Sequence, residues 1–200
     1  MRKLSKMMLG AFLVITLGLI GFSFNVLADT AGGNLSIQNA GPTIGTVTLW
    51  NQASADAAIT LSAGGTVVVT ANATITDTNG GDDISSANAT LYHSTSSVGA
   101  ADDENIHLTN ASCVLGATVG NTKLATCSFT MNFMALNGTW TASIAANDST
   151  GSSASGTDTN TANDLAGLDV VEATINFGSL GLGANSSAGA DMTVRSQGNV

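Results

Sequence analysis

The stretch Thr66–Thr76, TVVVTANATIT, decides how the rest of this chain is read. Val67, Val69, Ala71, Ala73 and Ile75 fall at every second position, and Thr66, Thr70, Asn72, Thr74 and Thr76 fall between them. A period of two puts the apolar set on one face of a pleated strand and the polar set on the other. A helix of 3.6 residues per turn would scatter the same residues around its circumference. The stretch therefore predicts a half-buried antiparallel strand, one face on a core and one in water.

Working outward, the same alternation recurs between clusters of Gly, Asn, Asp and Ser. Thr43–Asn51 alternates around Val47 and Leu49. Ile84–Ser94 sets Ala87, Ala89 and Leu91 opposite Asn88, Thr90 and Tyr92. Asn105–Leu115 and Lys123–Met134 form a pair about a glycine-containing turn, the second with Cys127, Phe129, Met131 and Phe133 on one face. Thr139–Ala146 points Trp140, Ala142 and Ile144 inward, and Ser153–Thr159 is an almost featureless last strand. Such a series predicts an all-β, immunoglobulin-like antiparallel β-sandwich over 41–150, with a light, alanine-rich core.

The flanks follow from the same reading. Residues 1–28 are expected to form a signal helix, 29–40 a polar N-terminal segment, and 151–164 a polar linker or weak last strand. Residues 165–200 form a partial second β unit, with strands at Ala173–Phe177 and Met192–Arg195. So short a unit, without cysteine, rarely holds a core of its own. It docks on the first sandwich, adds to a neighbouring subunit's sheet edge, or is part of a larger domain.

Only 10% of the 200 residues are charged, against about a quarter in ordinary domains. Beyond residue 28 the two basic residues Lys123 and Arg195 face all 14 acidic ones, a formal charge of −12. That surface repels nucleic acid and anionic lipid and attracts divalent cations. At the other extreme, Arg2, Lys3 and Lys6 precede an apolar run from Met7 to Phe24, and Val26-Leu27-Ala28 follows. This is the layout of a secretory signal cleaved before Asp29, which places the mature protein outside the cell or on its surface. The run also has the length of a retained membrane anchor. A prepilin-type cut after Gly10 is the third reading, though no Glu follows that glycine closely. Contact with membrane arises only through this segment, if it is uncleaved.

Three stretches carry a family resemblance: GPTIGTVTL (41–49), TDTNGGDDISSANATLYHS (76–94) and GTWTASIAANDSTG (138–151). Together they resemble immunoglobulin-like sandwich modules of bacterial and archaeal surface proteins. INFGSLGLGANSSAGADMTV (175–194) is similar to the first strands of another such module. The resemblance implies a fold and an extracellular setting, not an activity. The two cysteines are 14 positions apart, so the inter-sheet bridge of antibody domains does not carry over.

Cys113 and Cys127 flank a turn near Gly120, and in an exported chain that placement predicts a disulfide. Asp77, Asn79, Asp82 and Asp83 crowd one loop, and Asn147 and Asp148 fall at the same end of the expected sandwich. Oxygen ligands from two loops suit Ca2+, although the EF-hand pattern fails because Gly81 and Asn88 occupy its fifth and twelfth positions. The competing reading of these residues is ordinary turn chemistry. No other cofactor is expected. Sequons begin at Asn34, Asn72, Asn88, Asn110, Asn137, Asn147 and Asn185. Asn72, Asn88, Asn137, Asn147 and Asn185 are the glycosylation candidates, on polar strand faces or in turns. His93 and His107 are the only histidines, and no nucleophile elbow, zinc-protease helix or phosphate loop is present.

The sequence therefore points to a non-enzymatic structural or adhesive surface protein whose partners are other surface proteins, glycans or copies of itself. A glycan- or calcium-binding module and a filament subunit are the alternatives. N-terminal sequencing of the native protein should begin at Asp29; a start at Met1 or Ala11 would revive the anchor or the prepilin reading.

Overall fold

A computed structural model describes residues 38–51, 54–55, 57–185 and 191–200. The chain divides into two units, Met1–Ile37 and Gln38–Val200, and all described residues belong to the second. The expected signal segment and the sequon at Asn34 lie outside them.

The described strands are β1 (Thr43–Asn51), β2 (Ser54–Ala55), β3 (Thr66–Thr76), β4 (Ile84–His93), β5 (His107–Asn110), β6 (Val114–Leu115), β7 (Thr122–Asn132), β8 (Gly138–Asp148), β9 (Ser153–Ala162), β10 (Leu168–Val170) and β11 (Val194–Ser196). One sheet has the order β2-β1-β3-β7-β6, another β5-β4-β8-β9, and β10 pairs with β11. Pairing between the named strands is antiparallel throughout. The protein is all-β, as its alternation predicts, and the two larger sheets pack as a sandwich.

The core lies between them. Val69, Ala71, Ala73 and Ile75 of β3 and Cys127, Phe129 and Met131 of β7 are buried with Ala87, Ala89 and Leu91 of β4 and Trp140, Ala142, Ile144 and Ala146 of β8. Trp140 is the largest fully buried side chain; its Nε1 donates to the Leu136 carbonyl at 2.8 Å, so its one polar atom is satisfied. The many alanines let the sheets approach closely. At Gly156 of β9 a Cβ would lie 2.9 Å from Ile44 Cγ2 and 3.0 Å from Val47 Cγ2, so only glycine fits against β1.

β9 fills most of the polar stretch 151–164, paired with β8 from Asn147↔Ser153 to Gly138↔Ala162. Its less exposed positions are Ala154, Gly156, Asp158, Asn160 and Ala162. Two of these are polar because they tie β1 to β9: the Leu49 amide donates to Asp158 Oδ2 at 2.8 Å, and Asn160 Nδ2 donates to the Leu49 carbonyl at 3.4 Å, as well as to the Ala57 carbonyl beyond β1 at 3.0 Å. The sheet thus continues past residue 150.

Two expectations need correction. Asn105–Leu115 is not one strand: β5 joins β4 in one sheet and β6 joins β7 in the other. The chain changes sheets at Asn110–Cys113, where Asn110 Oδ1 accepts from the Ser112 amide at 3.1 Å and interrupts the ladder. Nor do Ile175 and Phe177 form a strand. Leu168–Val170 pairs with Val194–Ser196 instead, and Ile175 and Phe177 are exposed. Both ends of this last segment are held on the sandwich: Leu165 packs on the core, Gln197 accepts from the Gly64 amide at 3.3 Å, and Asn199 Nδ2 donates to the Ala135 carbonyl at 3.0 Å.

Cys113 and Cys127 form the expected disulfide, with Cα atoms 4.5 Å apart. The register Val114↔Thr126 sets them opposite each other. The Cys113 amide also donates to the Ala87 carbonyl of the facing sheet at 2.8 Å, so the crossover is bonded to both layers. Replacing both cysteines by serine should cost about 3 kcal/mol in the chain-entropy account of a loop this size. Urea denaturation of parent and variant measures it; equal midpoints would mean the bridge adds no stability.

Candidate metal centre

One end of the sandwich gathers carboxylates. The β3–β4 connection crosses between the sheets there, and the β8–β9 turn lies beside it. β3 and β7 stay in register to Thr76↔Thr122, which carries Asp77 to the tip of the β6–β7 hairpin, where its amide donates to the Asn121 carbonyl at 2.8 Å. Asp77 Oδ1 accepts from the Asn79 amide at 2.8 Å, and the Gly80 amide closes the turn on the Asp77 carbonyl at 3.1 Å. Gly80 has φ 125°, which a side chain would disfavour. Gly81 is wedged so tightly that a Cβ would meet Thr118 Cγ2 at 2.7 Å. A short 3-10 turn over Gly81–Asp83 then presents Asp83, whose Oδ1 accepts from Ser149 Oγ.

Asp148 arrives from β8. The register shifts between Ile84↔Asp148 and Ser86↔Asn147, a bulge at Ser85, whose hydroxyl donates to the Asp148 carbonyl at 2.8 Å. Bulges of this kind re-aim side chains at strand ends. Asp148 Oδ1 then accepts from the Thr150 amide at 2.9 Å and the Ser152 amide at 2.8 Å, and Oδ2 accepts from Asn39 Nδ2 at 2.7 Å.

As a result one oxygen each of Asp77, Asp83 and Asp148 lie within 4.8 Å of one another. Asp77 and Asp148 are buried and Asp83 is half-buried. Of the six residues that the sequence marks as candidate ligands, these three converge. Asn79 Oδ1 is taken by the Ala40 amide, Asp82 by Thr118 Oγ1, and the Asn147 side-chain amide donates to Ser86 Oγ. Asn39, Ser149 and Thr150 are supporting residues that strand alternation does not mark; the only signal for Ser149 and Thr150 is the turn-forming run Asn147-Asp148-Ser149-Thr150-Gly151, and nothing along the chain marks Asn39.

Elsewhere, His93 is buried between Thr95 Oγ1 and the Asn137 carbonyl. His107 is buried with Nδ1 3.2 Å from Asp102 Oδ1. Asn88, Asn137 and Asn185 are exposed, whereas Asn72, Asn110 and Asn147 are half-buried. Comparison with family models, curated proteins and solved structures found no match for this chain, so its site is read from geometry.

Burial pushes the Asp148 pKa up, but the donors from Asn39, Thr150 and Ser152 outweigh it and hold the carboxyl well below the usual range. A depressed folded pKa contributes stability that is present above the unfolded value, about 3.9, and is lost as pH falls through the folded value. Asn39→Ala removes one donor and moves the folded pKa back toward the unfolded one. The variant should therefore lose less urea stability than the parent between about pH 5 and about pH 2. Identical acid limbs would show that Asn39 does not stabilise the carboxylate.

Proposed function

We propose that this chain is a structural or adhesive module of the cell surface. The observation that carries the reading is that several buried and half-buried polar side chains bond to backbone distant in sequence. Asp158 and Asn160 bind the backbone of β1 at Leu49, His93 binds the Asn137 carbonyl, and Asn199 holds Ala135. These side chains tie loop to loop and sheet to sheet, which suits a part that bears load rather than one that turns over a substrate. The disulfide supports an oxidising compartment outside the cytoplasm. The two-sheet antiparallel arrangement supports the immunoglobulin-like resemblance as a likeness of fold, and the sequons on exposed positions suit a glycosylated surface.

A second reading, a subunit of an extracellular filament, is favoured by the apolar residues Ile175, Phe177, Leu180 and Leu182, all exposed on the C-terminal segment. Such a concentration of apolar surface suits self-association.

Fractionation combined with external proteolysis of intact cells tests the location. The protein should be removed by the protease and its two cysteines should resist alkylation without reduction. Cells lacking the protein should lose surface adhesion or coat integrity. A reduced cytosolic protein, or unaltered mutant cells, would overturn the proposal. Fibres in the released material would favour the filament reading.

A further inference from the structure

We infer that Asp77, Asp83 and Asp148 bind a single Ca2+ ion that locks this end of the sandwich. Three oxygens within 4.8 Å of one another match the separation that one calcium allows, since two ligands at 2.3–2.6 Å from a shared ion stand at most about 5 Å apart. Magnesium, at about 2.1 Å, would need the loops drawn in to about 4 Å. The donors are all hard oxygens from carboxylates, which favours calcium over zinc.

A second observation is independent of the clustering. Asp77 is 0% exposed, and its Oδ2 has no hydrogen-bond partner. A buried carboxylate oxygen left bare is costly, and such groups are normally paired, hydrogen-bonded or bound to metal. No basic side chain among the described residues lies within ion-pair distance of the three carboxylates; the one described pair is His107–Asp102. Lys123 donates its Nζ to the Ile84 carbonyl, next to Asp83, at 3.1 Å. The centre thus holds concentrated negative charge with no basic side chain of the described residues in ion-pair contact, and a divalent cation supplies that contact. Water and backbone carbonyls complete the shell, as is usual for calcium.

The ligands come from the β3–β4 connection and the β8–β9 turn. Asn39 on Asp148 and Asn79 on the Ala40 amide bring the chain that enters the sandwich to the same point. Calcium would bind these three segments together and make the stability of the module depend on the ion outside the cell.

The full chain, stripped with chelator, is melted across a Ca2+ series up to several millimolar. Linkage predicts a rise of roughly 5–10 °C at 100 times Kd, larger than with Mg2+. Asp77→Asn and Asp83→Asn should abolish the rise. Asp77→Asn should also melt higher than the parent without calcium, because it relieves repulsion; a merely structural carboxylate would show the reverse. Asp191→Asn, an exposed carboxylate elsewhere, should keep the full response. An unchanged melting curve in Ca2+, a response retained by both site variants, a response lost in Asp191→Asn, or a stronger response to Mg2+ would each overturn the assignment. Disulfide formation checks that the variants fold, and Asp83→Asn, at a half-buried position, keeps the test decisive if Asp77→Asn does not.

Discussion

The eleven-pair ladder between β3 and β7 is the constraint on which the rest of the structure depends. Both strands run their whole length in unbroken register, from Thr66↔Asn132 to Thr76↔Thr122. Because side chains alternate strictly across a strand, one register sets every inward residue of both strands together. It also sets what happens at the ends. Asp77 is the first residue past the ladder and meets the hairpin tip at Asn121. From there the crossover has only the space left by Thr118 and Thr122, which is why Gly81 stands in it. A slip of one residue would turn Val69, Ala71 and Ile75 to solvent and move Asp77 away from its partners.

A core so rich in alanine buries less apolar area per residue than one of leucine and isoleucine, so its hydrophobic contribution is small for its length. Directional bonds make up part of the difference. β1 is stitched to β9 by Asp158 and Asn160 at Leu49, and the crossover at Cys113 is bonded to β7 and β4. Close sheets also make these bonds feasible, because short side chains such as Asp and Asn reach the opposite backbone without a longer stem. The same economy explains Gly156, where even a methyl group has no room.

The electrostatics have two scales. Across the surface, a large excess of acidic residues is diffuse and screened by salt. At the β3–β4 end, burial removes that screening, and three carboxylates face one another with no ammonium or guanidinium of the described residues paired to them. Folding brings them there because β4 and β8 pair with a bulge at Ser85, and the hydrogen bonds that fix Asp148 leave little freedom to turn away. Backbone pairing and turn formation thus assemble an arrangement that the side chains alone would oppose.

Local pattern carried much of the fold in this sequence. Thr43–Asn51 and Thr66–Thr76 are read with their bounds unchanged, and Cys113 and Cys127 are read as partners from turn and spacing. Those features depend on neighbours along the chain or across one hairpin. β9 was hard to see because its inward residues are chosen for bonds to β1, a partner about a hundred residues away in sequence. The break within Asn105–Leu115 depends on which sheet each half can join, and the exposure of Ile175 and Phe177 on which strand had already paired with β10. The acidic loop was legible as a cluster of Asp and Asn, all alike in one dimension. Only the tertiary structure separated Asp77, Asp83 and Asp148 from Asn79, Asp82 and Asn147, because the direction of a side chain at a loop is set by register, bulge and turn acting together, and these are settled only when the two sheets close on each other.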